Sequence, residues 1–151
     1  MAKHYSKILY ATDYSKASAR ALDEAVALAK QNSSELLVLH VLEPMTSYVA
    51  GEDIGGAELY MQLEEKNKQD AENSMKQLMD KLRKLKVNAK SLLLRGGTAQ
   101  DQIVRAAKNR RANLIVIGTH GRTGLSKLFL GSVANQVVST AHCPVLTVRG
   151  K

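Results

Sequence analysis

Five short apolar runs, separated by segments with helical periodicity, constrain the fold of this chain most strongly. Leu36–Leu42 is nearly continuously apolar, which is typical of a strand buried on both faces of a sheet. Strands that alternate with helices form a parallel sheet through right-handed crossovers. We therefore predict an α/β, Rossmann-like fold, an open five-stranded parallel sheet with helices on both faces. The predicted strands are Lys7–Thr12, Ser34–Pro44, Asn88–Gly97, Ala112–Gly121 and Cys143–Gly150.

The helical segments carry start signals in the sequence. Ser15 stands where it can cap the first helix, and Thr98 and Asp101 have the spacing of a capping box at the start of another. Glu58–Lys86 is predicted as one long helix and Gly131–Ala141 as a short one. No internal repeat or linker is visible, and 151 residues suit one domain over 1–151.

The composition is that of an ordinary globular protein, with 44% hydrophobic and 24% charged residues. No apolar run approaches the length of a membrane span, and the first residues show no secretory signal. The single cysteine, Cys143, cannot form an intrachain disulfide. We therefore expect a cytoplasmic protein that does not associate with membranes.

The net charge of +8 is unevenly distributed. Residues 76–111 hold 11 basic and 2 acidic residues, whereas residues 1–75 carry a net charge of −5. A basic segment favours nucleic-acid binding as one hypothesis. The alternative is a solvated helix face. Aromatic residues make up only 4% of the chain, so few side chains can stack on single-stranded bases. Nucleic-acid binding through 76–111 therefore stays the weaker alternative.

The stretch GTHGRTGLSKLFLGS, Gly118–Ser132, follows the fourth predicted strand directly. In an open parallel sheet, ligands bind beyond the carboxyl ends of the strands, near the point where strand order reverses. No P-loop motif occurs in the chain, and no dinucleotide-binding glycine motif follows the first strand. Gly131-Ser132-Val133 opens a helix, and the free N–H groups of a helix start suit an anion.

This loop resembles the signature of the universal stress protein family in its ATP-binding branch. The family pattern is G-x2-G-x9-G-[ST], and Gly118, Gly121, Gly131 and Ser132 match every fixed position. The resemblance covers essentially the whole chain and implies the family's adenine nucleotide alpha hydrolase-like fold. It also implies binding of ATP or AMP, with Mg²⁺ held through the phosphates, and a role in stress survival or signalling.

The resemblance also implies roles for individual residues. Asp13 contacts the ribose or adenine side, although a helix-capping carboxylate is the alternative for this residue. Val41 offers backbone hydrogen bonds to adenine. Gly118, Gly121, Gly131 and Ser132 hold ribose and phosphates, and His120 and Arg122 approach phosphate. The expected nucleotide-binding residues are Thr12, Asp13, Val41, Ile117, Gly118, His120, Gly121, Arg122, Gly131, Ser132 and Val133.

The phosphate end of this expected site lacks a nearby carboxylate, because residues 102–151 contain no Asp or Glu. No lysine stands where a P-loop lysine would hold the γ-phosphate. We therefore expect a nucleotide-dependent regulatory module with at most slow ATP hydrolysis. A slow ATPase or a nucleotidyl-transferring enzyme on the same fold is the alternative. His142-Cys143 has no second Cys/His pair at ligand spacing, so no metal site is predicted.

The C-terminal strand suggests how two copies could associate. Residues 144–149 form an apolar strand that we expect at the edge of the sheet, where few residues discourage pairing. Two such edges can pair antiparallel about a two-fold axis. The resemblance points to the same arrangement, and we expect a homodimer through this strand.

Overall fold

The structure is a computed structural model that describes residues 4–44, 56–120 and 130–150. Strands and helices alternate strictly along the described chain. The elements in order are β1 (Lys7–Ala11), α1 (Lys16–Asn32), β2 (Glu35–Leu42), α2 (Gly56–Lys84), β3 (Ala89–Arg95), α3 (Ala99–Asn109), β4 (Leu114–Gly118), α4 (Ser132–Thr140) and β5 (Val145–Val148).

The five strands form one parallel sheet in the order β3-β2-β1-β4-β5. The predicted fold class is therefore confirmed. The chain moves outward from β1 to β2 and β3, and then returns to the other side of β1 with β4 and β5. The strand order thus reverses between β1 and β4, which is the position where ligands bind in sheets of this kind.

Alternating side chains of the strands form a hydrophobic core on each face of the sheet. Ile8 and Tyr10 of β1 pack with α1 and α2. Leu9 and Ala11 of the same strand pack with α3 and α4. Both faces of β1 are buried, as the continuous apolar pattern of a central parallel strand requires.

Both predicted helix caps are present. Ser15 is the N-cap of α1, and its side chain accepts a hydrogen bond from the Ser18 N–H at 3.2 Å. Thr98 is the N-cap of α3 and accepts from the Asp101 N–H at 3.3 Å. These caps fix where each helix begins at the carboxyl end of the sheet.

β5 lies at one edge of the sheet, paired only to β4 among the described strands. All four of its residues are half-buried. Pro144 precedes the strand, and its carbonyl accepts from the Ile115 N–H. The expected position of the last strand at the edge of the sheet is therefore confirmed.

Among the described residues, no helix is long and apolar enough to cross a membrane.

Candidate functional site

A cleft of about 440 Å³ lies at the carboxyl ends of β1, β2 and β4, at the point where the strand order reverses. This volume is in the range of small-molecule sites. One wall is apolar and comes from the sheet together with α3 and α4. The apolar wall consists of Leu39, Val41, Ile103, Ile117 and Val133. The rim of the cleft is polar, so an apolar surface lies beside hydrogen-bonding groups.

Nine of the eleven residues expected from the sequence line this single cleft. They are Thr12, Asp13, Val41, Ile117, Gly118, His120, Gly131, Ser132 and Val133. Gly121 and Arg122 lie outside the described residues. Residues that are more than 100 positions apart in the sequence are therefore brought to one place by the parallel sheet.

A buried hydroxyl network supports the floor of the cleft. The Tyr10 hydroxyl donates to the Ser18 carbonyl at 2.6 Å, and burial raises the pKa of Tyr10 despite the hydrogen bonds it makes. The Ser18 hydroxyl donates to Thr12 Oγ1 at 2.5 Å, and the Tyr14 N–H donates to the same oxygen at 3.0 Å. Thr12 Oγ1 accepts in both contacts, and the Thr12 side chain also hydrogen-bonds Tyr10, so Thr12 is part of the network that supports the cleft.

The loop after β1 holds Asp13 at the rim. The Asp13 carboxylate accepts from the Ser15 N–H at 2.9 Å, an Asx-turn that leads into α1. The helix cap itself is Ser15, so Asp13 supports the turn but does not cap the helix. Tyr14 has a φ of 62°, a left-handed conformation that is uncommon for a residue with a side chain.

The start of α4 faces the opposite end of the cleft. Gly131 is the N-cap of this helix and has no side chain that could accept from its first N–H groups. The Gly131 N–H donates to the Thr119 carbonyl at 2.6 Å, which fixes the helix start against the end of β4. The Thr119 hydroxyl lies 2.9 Å from His120 Nδ1. The positive end of the helix and the Ser132 hydroxyl therefore lie at the cleft.

The glycine at position 118 has a structural reason that the sequence interpretation did not include. A Cβ built there would lie 3.0 Å from the Ala17 carbonyl carbon and 3.1 Å from the Ala17 oxygen. The lack of a side chain at Gly118 therefore allows α1 to pack closely against β4. The role in holding ribose and phosphates that the motif implies for Gly118 does not account for this contact.

Several polar residues that line the cleft were not among the expected site residues, and His40, Glu43 and Asn67 are the most distant from the expected motifs. His40 and Glu43 come from the end of β2, and Asn67 comes from the middle of α2. The strand-end position of Glu43 was a usable signal, since carboxyl ends of parallel strands meet at one edge. Nothing local marks Asn67, because only the packing of α2 against β2 and β3 brings it to the cleft.

Among the described residues, two carboxylates line the cleft, and Glu43 is the one farther from β4. Asp13 follows β1, and Glu43 follows β2, which is separated from β4 by β1. With adjacent strands about 4.8 Å apart, β2 and β4 are separated by about 10 Å. The cleft is therefore acidic at its β2 end and has a positive helix start at its β4 end.

Cys143 and His142 lie near the start of β5 and do not line the cleft. Burial raises the pKa of the Cys143 thiol, which makes it a weak nucleophile and a poor metal ligand. Within 4–44, 56–120 and 130–150, no group of three His, Cys, Asp or Glu side chains has the arrangement of a metal site.

The family model for the universal stress protein family matches residues 4–149. The chain belongs to the universal stress protein family. Universal stress protein MJ0531 of Methanocaldococcus jannaschii is 34% identical over 145 residues, which cover 96% of this chain and 82% of the relative. The family assignment made from the loop signature is confirmed.

Solved structures of the family have the same fold. The structure of MJ0577, also from Methanocaldococcus jannaschii, is 30% identical with a TM-score of 0.85, and the match covers 98% of each chain. A family protein from Arabidopsis thaliana, solved with AMP bound, has a TM-score of 0.67 at 23% identity, with 97% of this chain and 92% of that one covered. A universal stress protein solved in complex with cAMP has a TM-score of 0.61 at 21% identity, with 97% and 98% covered.

Proposed function

We propose that the cleft binds an adenine nucleotide, ATP or AMP, and that the protein acts as a nucleotide-dependent regulatory module in a stress response. The observation that carries this proposal is the meeting of an apolar wall, a hydroxyl-lined floor and an uncapped helix start in one cleft at the switch point. The AMP and cAMP bound by two related structures support the same ligand class.

The base lies against the apolar wall at the β2 end in this proposal. Leu39, Val41 and Ile103 offer an apolar surface against which an aromatic ring can pack. The Val41 backbone would hydrogen-bond the base edge. Asn67 carries both a donor and an acceptor, and Glu43 accepts, which suits the exocyclic amine of adenine. The acidic character of this end disfavours a phosphate there.

The phosphates lie at the start of α4. The first N–H groups of the helix and the Ser132 hydroxyl would donate to phosphate oxygens, and the helix dipole favours the negative charge. Gly131 at the N-cap keeps this approach open. His120 is within the same part of the cleft. Gly121 and Arg122 are expected to complete this end.

The ribose lies between these two ends, above the loop after β1. The Asp13 carboxylate lines the cleft beside Thr12, and a carboxylate accepts hydrogen bonds. A ribose carries hydroxyls that donate, so it matches this carboxylate. Mg²⁺, where present, would be held mainly by the phosphates, with Asp13 the carboxylate nearest to them along the sheet.

Fast catalysis does not follow from this arrangement. Asp13 and Glu43 follow β1 and β2, whereas the proposed phosphate site is at β4 and α4. His120 is the side chain at that end that could act as a base. We therefore propose binding with slow hydrolysis or none. A slow ATPase or a nucleotidyl-transferring enzyme is the second candidate, and it would depend on His120.

The proposed location is the cytoplasm. The single cysteine, Cys143, cannot form an intrachain disulfide, which agrees with a reducing compartment. The functional unit is a homodimer through the strand of residues 144–149. Nucleic-acid binding through the basic segment 76–111 has only net charge in its favour. The segment 76–111 contains no aromatic residue that could stack on bases.

Calorimetric titration of the purified protein with AMP, ATP and GMP tests the ligand class. We expect binding of AMP and ATP and weaker binding of GMP, whose base carries a carbonyl where adenine carries the amine. A short DNA duplex in the same buffer at low salt serves as the control for charge alone. Absence of binding by both adenine nucleotides at millimolar concentration would contradict the proposal.

A further inference from the structure

The loop that carries Asp13 is attached to the neighbouring strand by a side chain rather than by the backbone alone. The last backbone bond between the two strands runs from the Thr12 N–H to the Leu39 carbonyl at 2.9 Å. The next step of a parallel ladder would pair the Thr12 carbonyl with the N–H of Val41. Instead, His40 Nδ1 donates to the Thr12 carbonyl at 2.8 Å.

The imidazole of His40 also supports the residue after Asp13. Its ring centroid lies 4.5 Å from that of Tyr14, with the two planes tilted by 33°. The Tyr14 hydroxyl donates to the Ala71 carbonyl of α2 at 3.1 Å. Tyr14 has a left-handed backbone, a conformation that persists in a residue with a side chain only where its surroundings hold it. His40 therefore contacts the loop on both sides of Asp13.

We infer that His40 is a positioning residue for the nucleotide site. It holds Asp13 between two fixed points, the Thr12 carbonyl and the Tyr14 ring. By accepting the His40 hydrogen bond, the Thr12 carbonyl stands outside the backbone ladder at the position of Val41, a residue that lines the cleft. One histidine thus orients the carboxylate proposed for the ribose and the backbone proposed for the base. The effect on affinity rests on the proposed function, whereas the effect on the loop does not.

A pair of substitutions isolates the hydrogen bond. In His40→Asn the amide nitrogen is attached to Cγ, as Nδ1 is, so the donor to the Thr12 carbonyl is retained. In His40→Gln the donor lies one bond further from the backbone and no longer fits that distance. Both variants are polar and of similar size, so both are expected to fold. His142→Gln, at an exposed histidine away from the cleft, is the matched control.

Amide NMR spectra without ligand test the positioning role directly. Both variants lose the ring contact with Tyr14, but only His40→Gln also loses the hydrogen bond to the Thr12 carbonyl. We therefore expect the resonances of Thr12 to Ser15 to move or broaden more in His40→Gln than in His40→Asn, and to stay at their wild-type positions in His142→Gln. Equal changes in His40→Gln and His40→Asn, or wild-type-like resonances in His40→Gln, would overturn the inference, whatever the protein binds.

Titration with AMP tests the consequence for binding. We expect His40→Gln to bind about tenfold more weakly than the wild type and His40→Asn to bind within about threefold of it. Asp13→Asn combined with His40→Gln should weaken binding by less than the product of the two single effects, because both act on one contact. Equal affinities of His40→Gln and His40→Asn, or fully additive effects, would overturn the inference. Absence of AMP binding by the wild type would instead contradict the proposed function.

Discussion

Gly118 at the end of β4 lies directly against Ala17 in the first turn of α1, with no room for a side chain between them. Two of the three closest atoms to a Cβ at this position belong to the Ala17 backbone. A rotamer change therefore cannot relieve the contact, and α1 would have to move.

Gly118→Ala is expected to destabilise the protein by about 1–3 kcal/mol, the usual cost of overpacking a tight site. Urea unfolding followed by circular dichroism measures this free energy. Adding Ala17→Gly should restore little of it, because the backbone contacts remain. A Gly118→Ala variant as stable as the wild type would show that α1 can shift at no cost.

Glu35 connects three strands at the amino end of the sheet, opposite the cleft. Its carboxylate lies 3.2 Å from Lys90 Nζ and 3.6 Å from Lys7 Nζ. Burial acts to raise the pKa of this carboxyl, but the hydrogen bonds and charges of Lys90 and Lys7 outweigh it and hold the pKa below its usual 4.5. The folded state therefore binds fewer protons than the unfolded state near this pH.

The stability that Glu35 contributes is accordingly complete above the unfolded-state pKa and is lost as the pH falls through the lower folded-state pKa. Glu35→Gln should cost up to about 1 kcal/mol at neutral pH and should flatten the acid side of the stability curve. Unfolding free energies measured from pH 7 downward check this, with Glu24→Gln on the exposed face of α1 as control. Parallel curves for wild type and Glu35→Gln would argue against the assignment.

The outer edge of β5 is expected to pair with a second copy. The carbonyls of Pro144 and Val148 accept from β4, so the strand's alternation directs the N–H of Thr147 away from the sheet. Thr147→Pro should therefore remove an outward donor while leaving the β4–β5 bonds intact, as proline does on an edge strand.

Light scattering at micromolar concentration should give about twice the 16.5 kDa chain mass for the wild type and a smaller mass for Thr147→Pro. A wild-type monomer at that concentration would count against the dimer. An unchanged dimer in Thr147→Pro would place the interface elsewhere.

Much of the fold was predictable from the sequence because its signals are local. Ser15 and Thr98 predict the starts of α1 and α3. The apolar run of β2 predicts a strand buried on both faces. Boundaries were less well determined. The long helix begins at Gly56 and ends at Lys84, two residues earlier at each end than Glu58–Lys86. Lys86 has a φ of 61°, a left-handed conformation that cannot continue the helix. A lysine does not predict this conformation, so the sequence did not indicate where the helix ends.

The site was predictable where a motif or a strand end marked it, as at Asp13, Gly131 and Ser132. It was not predictable where a long-range contact creates it. In the sequence, His40 is one polar residue in an apolar strand. Only the register of β1 and β2 places it beside the Thr12 carbonyl. Asn67 reads as an exposed helix residue, and only the packing of α2 brings it to the cleft.

Turnover of ATP is expected to be slow or undetectable, since the proposed phosphate end lies on the far side of β1 from Glu43. Phosphate release measured at saturating ATP with Mg²⁺ should stay well below about 1 s⁻¹, the lower end of ordinary enzyme rates. A faster rate that His120→Ala abolishes would favour an enzyme over the regulatory module.

The central claim is that the start of α4 holds the phosphates of an adenine nucleotide, and Gly131 tests it most directly. Gly131 has φ −61° and ψ 159°, a conformation that valine also adopts, so Gly131→Val introduces no backbone strain. Its branched side chain would stand at the N-cap, where the phosphate is proposed to approach. Ser132→Ala removes one hydroxyl donor and should weaken binding by about threefold to tenfold. Ser139→Ala, on the exposed far end of the same helix, should not change affinity.

The deciding measurement is calorimetric titration of AMP and ATP into the wild type and into folded Gly131→Val. We predict that Gly131→Val binds both nucleotides at least about tenfold more weakly, a loss of about 1.4 kcal/mol or more. Equal affinities of the two proteins would contradict the account, because the start of α4 would then be a turn that contacts no ligand.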